Sequence, residues 1–195
     1  MCSDVYDPDR ILHVELEIAP WEWEALQEEH DDWEAREAAG LPLKPWHPVA
    51  TFRADGEEIH DASVRLKGNP CCSWTSDKLQ LVVAFDQQDP DGRFKHLRKL
   101  TLDAPPYDPS LLRDRVALSY FRDAGFAASC ANHATVHING QYYGIYANIE
   151  TVDQELLRRE FPDTEHLGNL YKWDYDLGRF RKRNNAGEAA DDLRD

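Results

Sequence analysis

No apolar run in this 195-residue chain approaches the roughly 20 residues that a membrane-spanning helix needs. The basic and apolar regions of a signal peptide are not visible at "MCSDVYDPDR" either. Basic residues are scarce, with 22 Lys and Arg against 37 Asp and Glu and a net charge of −15. Nucleic acid and anionic membrane both need a positive footprint, so charge argues against either as a partner. The sequence has no G-x-S-x-G elbow, no Walker loop and no G-x-G-x-x-G turn, and it has no internal repeat. Cysteine is limited to four residues. The three internal ones, Cys71, Cys72 and Cys130, allow at most one internal bridge with one thiol left over.

What is present supports a packed domain. Hydrophobic residues make up 42% of the chain and tryptophan occurs six times, which gives enough apolar surface for a core. Cys2 follows Met1 directly. A lipoprotein cut after its signal, with Met added in front, would start this way. An incidental early cysteine would look the same. Residues 1–9 are accordingly read as a tail.

The hydropathy pattern gives an order of elements. "RILHVELEI" alternates with period two, as a half-buried strand does. In "PWEWEALQEEHDDWEAREAAG", Pro20 can open a helix, Trp23, Leu26, His30 and Trp33 fall at helical spacing, and Gly40 can end it. Its many acids are expected to form a solvated face. "HPVATFRADGEEIHDASVRLKG" reads as two strands about Asp55-Gly56. "DKLQLVVAFD" and "LRKLTLDAP" read as further strands, the first with Leu79, Leu81, Val83 and Phe85 on one face. "DPSLLRDRVALSYFRDAG" is the clearest helix: Asp108 can cap it, Pro109 can open it and Gly125 can close it. Leu112, Val116 and Tyr120 line up along it, flanked by Ala117, Phe121 and Ala124. A hairpin about Asn139-Gly140 follows, then a helix with Thr151 and Gln154 as a capping box. Strands, a long helix, a hairpin and a second helix make an α+β domain on an antiparallel sheet with packed helices.

Three constellations carry candidate chemistry. Arg65 and Lys67 share a strand face, and Lys78 lies just across the turn "GNPCCSW". Such cations can clamp phosphate oxygens, or they can be a solvated face paired to nearby acids. In "YANIETVD", Glu150 ends a strand, where side chains often line clefts, and Asp153 lies where acids favour a helix N-terminus. His133 and His137 share a face but lie four apart on a strand, about 13 Å, too far for one metal ion. Adjacent Cys71 and Cys72 make a poor zinc pair, because zinc motifs usually leave residues between ligands. "QQDPDGR" lacks the spacing of a calcium loop.

Taken in order, "VRLKGN", "SWTSDKLQLVVAF", "LRKLTLDAP", "DPSLLRDRVALSYFRDAG", "ATVHINGQYYGIYANIETVDQELLRREF" and "GNLYK" resemble the spore coat protein H (CotH) kinase family over residues 10–175. The resemblance implies an atypical protein-kinase-like fold, with this chain as its N-terminal part and residues 176–195 as the start of a further region. It implies ATP and magnesium as cofactors, and transfer to Ser or Thr of a surface or coat protein, outside the cytoplasm. It turns Arg65, Lys67 and Lys78 into phosphate contacts, with Lys78 favoured as the kinase strand lysine and Lys67 as its rival. Arg113 and Asp114 match family positions on the helix, and Asp114 would pair with the phosphate lysine. Glu150 and Asp153 become candidates for adenine, ribose or lobe-closing contacts. The family's catalytic and metal-binding aspartates are not matched by Asp174, Asp176, Asp191 or Asp192, so no catalytic residue or metal ligand is assigned and this piece alone is expected to be inactive. The extracytoplasmic setting also permits a disulfide, expected between Cys130 and either Cys71 or Cys72. The alternative to an enzyme is a non-catalytic binding or structural module of a spore or cell-surface layer.

Overall fold

Alternation along "LHVELE" makes β1 (Leu12–Glu17): Leu12, Val14 and Leu16 are buried while His13, Glu15 and Glu17 turn the other way. A computed structural model of the chain describes residues 2–162, 170–174 and 178–182. Pro20 opens α1 (Pro20–Asp31), a short α2 (Trp33–Ala38) continues from it, and Gly40 follows with φ +69°. Four short strands come next: β2 (His47–Val49), β3 (Thr51–Ala54), β4 (Glu57–Ile59) and β5 (Ala62–Leu66). The expected hairpin at Asp55-Gly56 joins β3 to β4, and both turn residues have positive φ. The helical turn α3 (Pro70–Ser73) leads to β6 (Leu81–Ala84) and β7 (Lys99–Asp103). After α4 (Arg113–Asp123), the hairpin β8 (Ala131–Ile138) and β9 (Gln141–Ile149) turns at Asn139-Gly140 as the sequence indicates.

The strands form one sheet in the order β2-β5-β6-β7-β9-β8-β1-β3-β4, antiparallel except for β1 against β8. The architecture is α+β with a large, mostly antiparallel sheet. Its register puts Val64, Leu66, Leu81, Val83, Leu100, Leu102, Tyr146 and Val136 on one face, all fully buried. This is the core face. Phe52, Phe85 and Phe94 pack on it with ring centroids 4.9–5.8 Å apart. From α1, Leu26 is inserted into the same cluster, a burial worth roughly 2 kcal/mol. The acids of α1 are not all solvated as expected. Glu22 and Glu29 grip the two ring nitrogens of His47 at 2.7 and 3.1 Å, tying the helix to the sheet edge.

The N-terminal residues belong to this fold. Val5 and Tyr6 are buried, and Asn132 and Asn148 donate to the backbone carbonyls of Arg10 and Val5. Cys2 thereby reaches Cys130, and the two form a disulfide across 128 residues, with Cα atoms 5.8 Å apart. The expected pairing of Cys130 with Cys71 or Cys72 is therefore corrected: those two are bonded to each other. The anchored N-terminus brings Cys2 to Cys130, whereas the α3 turn holds its two sulfurs side by side.

The chain divides into a larger unit, Cys2–Glu150, and a smaller one from Thr151 onward. The smaller contains α5 (Gln154–Glu160) and the strand pair β10 (Tyr171–Asp174) and β11 (Arg179–Lys182). The cap of α5 is Asp153, whose carboxylate accepts from the Glu155 N–H, rather than the expected Thr151.

Candidate functional site

Opposite the core face, the same alternation lines up Arg65 and Lys67 from β5 and its extension, Thr101 and Asp103 from β7, and His133 from β8. This second face carries polar groups that are mostly buried: Ser63, Thr101, Asp103 and His133. Lys67 Nζ donates to Asp103 Oδ2 at 2.6 Å, while Asp103 Oδ1 is buried with no hydrogen-bond partner among the described residues. The Arg65 guanidinium lies 4.5 Å from the centroid of the Trp46 ring, and its Nε is buried and unpartnered among the described residues. Burial holds Arg65 below its ordinary pKa.

Asp114 reaches this face from α4. Burial, then the nearby charge of Asp103, raises its pKa, and Lys67 opposes that. The cause is geometric: α4 turns Asp114, Arg115, Leu118, Ser119 and Arg122 toward the sheet. Arg115 reaches the Nδ1 side of His133 at 3.2 Å, and His133 Nε2 reaches the carbonyl of Leu111 at 3.1 Å. Contrary to expectation, the helix starts at Arg113, not at Pro109. Leu111, at φ +56°, ends the preceding turn, and Asp108 accepts from Ser110 Oγ and the Arg113 N–H. The apolar line Leu112, Val116, Tyr120 is exposed.

The two candidate lysines are separated by the sheet. Lys78 donates to the carbonyl of Ile145 and sits 4.1 Å from the centroid of Tyr146, a core-face ring. Burial lowers its pKa. Arg113 lies on the outside, its guanidinium 5.6 Å from the Tyr107 ring centroid. Glu150 is buried and accepts from the Cys130 N–H at 2.8 Å. Asp153 caps α5 in the smaller unit. His137 sits beside His13, ring centroids 4.6 Å apart. Asp176, Asp191 and Asp192 lie outside the described residues.

The second face thus combines Arg65, Lys67, Asp103 and Asp114. Sequence reading missed Asp103 and Trp46. The signal for Asp103 was available: in "KLTLD" it alternates away from Leu100 and Leu102, on the face of Thr101. The donors suit a phosphate group, since Arg65 brings a planar guanidinium and Lys67 an ammonium with N–H groups beyond the one given to Asp103. Asp103 and Asp114 are hard oxygen donors of the kind magnesium takes. Among the described residues, no group of three or more His, Cys, Asp or Glu side chains is placed to hold a metal ion by itself.

Comparison with known proteins bears on the family resemblance of the sequence. Inner spore coat protein H of Bacillus subtilis (strain 168) is 35% identical over 66 residues, 34% of this chain and 18% of the relative. An inner spore coat protein H-like protein of the same organism is 45% identical over 53 residues, 27% of this chain and 17% of the relative. The matched part is less than a fifth of either relative's length. The family described as CotH kinase protein matches residues 64–194, more than half of the chain, and this protein belongs to that family.

Proposed function

We propose that this chain is the nucleotide-phosphate-binding part of an atypical protein kinase, its sheet and α4 forming a kinase-like N-terminal lobe. The reaction is transfer of the ATP γ-phosphate to Ser or Thr of a coat or surface protein outside the cytoplasm. One observation carries the reading: in a member of the CotH kinase family, Lys67 is held against Asp103 on a sheet face that also receives Asp114 from α4.

Phosphoryl transfer depends on positioning and charge stabilisation more than on covalent help from the protein. Lys67 presents a point charge aimed by Asp103. Arg65 presents a planar donor braced by Trp46. When bound, magnesium–ATP would supply the transferable phosphoryl group, and Asp103 and Asp114 would be the carboxylates to hold its metal ion. The strand-lysine role goes to Lys67 and not to Lys78, because Lys78 is committed to Ile145 and Tyr146 on the other face. The base that takes the acceptor hydroxyl proton is not assigned to a residue of this chain.

The names of the relatives favour a second reading, a non-catalytic module of a coat layer. The two are separated by incubating the whole gene product with γ-labelled ATP, magnesium and protein acceptors. A kinase labels Ser or Thr. Lys67→Ala then lowers labelling by about two orders of magnitude, in the range that loss of one charged transition-state contact costs, and Lys78→Ala lowers it far less. Equal labelling in all three proteins removes the role given to Lys67. No labelling with any acceptor favours the coat module.

A further inference from the structure

Apart from Leu118 the inward positions of α4 are polar or charged, and between Arg113 and Asp123 at its two ends the outward positions are apolar, the reverse of an ordinary surface helix. Leu112, Val116, Tyr120 and Phe121 are 46, 63, 70 and 48% exposed, and Phe126 just beyond the helix is 63% exposed. The helix cannot simply roll over: Arg122 donates to the Ser129 carbonyl and Arg115 to that of Pro8, and Asp114 sits near Lys67. These five side chains expose on the order of 600 Å² of apolar surface. That is at the top of what a monomer usually leaves open and approaches the roughly 800 Å² each partner gives to a standard interface.

The ends of this stripe carry opposite charges. Arg113, Val116, Tyr120 and Asp123 fall at i, i+3, i+7 and i+10, one line along the helix. Arg113 and Asp123 are both exposed, and Asp123 has no ion-pair partner among the described residues. Two such helices packed antiparallel about a two-fold axis level with Leu118 would set Arg113 against Asp123 of the second copy, twice. Val116 would meet Tyr120 of the second copy, also twice. A parallel arrangement would oppose Arg113 to Arg113. The antiparallel one also sets the helix dipoles in the favourable sense. We propose that α4 is a dimerisation helix and that a second copy of this chain docks antiparallel on its outward face. The contact is isologous, so it closes at two copies and does not propagate.

Sedimentation equilibrium of the 195-residue chain across about 1–100 μM, the range of a modest interface, tests this. The expected result is a reversible monomer–dimer mass. Val116→Asp weakens it by at least about 100-fold and Arg113→Asp by about 10-fold, as central apolar and rim charged contacts do. Adding Asp123→Arg to Arg113→Asp recovers most of the loss. All these positions are exposed, so unchanged far-UV circular dichroism and melting temperature check that each variant folds. A single-chain mass at every concentration overturns the proposal and leaves the face to another occupant. A dimer indifferent to Val116→Asp, a double charge swap no better than the single one, or aggregates beyond the dimer would also overturn it.

Discussion

Asp114 brings a second carboxylate to the face where Asp103 already accepts from Lys67. Its pKa is raised by burial first and by Asp103 second; Asp108 adds to this, and Lys67 and Arg113 oppose it. The folded state therefore holds this proton more tightly than the unfolded chain. The contribution to stability is favourable at low pH and is lost as pH rises from the ordinary Asp range, about 4, through the raised value. Asp114→Asn removes that loss. Urea unfolding is expected to show the variant gaining on the parent as pH rises from about 4 to 7, and a constant difference across that range would contradict the environment described for Asp114. A carboxyl group whose charged form is disfavoured by its setting is characteristic of a functional site, so the same variant is expected to weaken phosphate-site chemistry while stabilising the protein.

At the scale of elements, the hairpin β8–β9 shows what local sequence can and cannot specify. Asn139-Gly140 and the alternating residues around it place the turn correctly, since that chemistry is local. The packing of Gly144 is long-range. It has φ +146°, and a Cβ there would lie 3.0 Å from Lys78 Nζ. Gly144→Ala is expected to cost about 1–3 kcal/mol through backbone strain and displacement of Lys78 from Tyr146. In a double-mutant cycle with Lys78→Ala, the two losses should be less than additive, and strict additivity would mean that the residues do not interact. The same distinction explains α4. Its 3.6-residue period was legible, but which side of it meets the sheet depends on partners far along the chain: His133, Ser129, Lys67 and Pro8. Periodicity located Leu112, Val116 and Tyr120 on one face and gave no means of knowing that the face points outward. Basic alternation likewise revealed Arg65 and Lys67 together, whereas the separation of Lys78 from them follows from the turn between β5 and β6, which has no strand period to read.

At the scale of the whole molecule, the N-terminal segment is bonded to the start of β8 through Cys2 and Cys130. A bridge closing 128 residues restricts the unfolded chain by an estimated 5 kcal/mol in the loop-entropy view. The bond between neighbours Cys71 and Cys72 encloses no intervening chain and restricts it very little. Cys2→Ser/Cys130→Ser is therefore expected to lower unfolding free energy by several kcal/mol, up to that bound. Cys71→Ser/Cys72→Ser is expected to change it by under about 1 kcal/mol. Urea unfolding of the oxidised proteins compares them directly, and equal losses would contradict the described pairing. Cysteine count alone left the pairing open, because Cys2 looked like part of a tail until Val5 and Tyr6 were seen in the core.

The central claim is that phosphate binds the face of Arg65, Lys67, Asp103 and Asp114. Titration of the isotope-labelled 195-residue chain with magnesium–ATP, followed by backbone amide chemical shifts up to about 10 mM, tests it most directly, since a partial site is expected to bind at the weak end of the affinity scale. The expected shifts saturate together at Arg65, Lys67, Asp103 and the first turn of α4, and disappear in Lys67→Ala. Shifts centred on Lys78, Gly144 and Tyr146, or no saturable shifts at all, would contradict it.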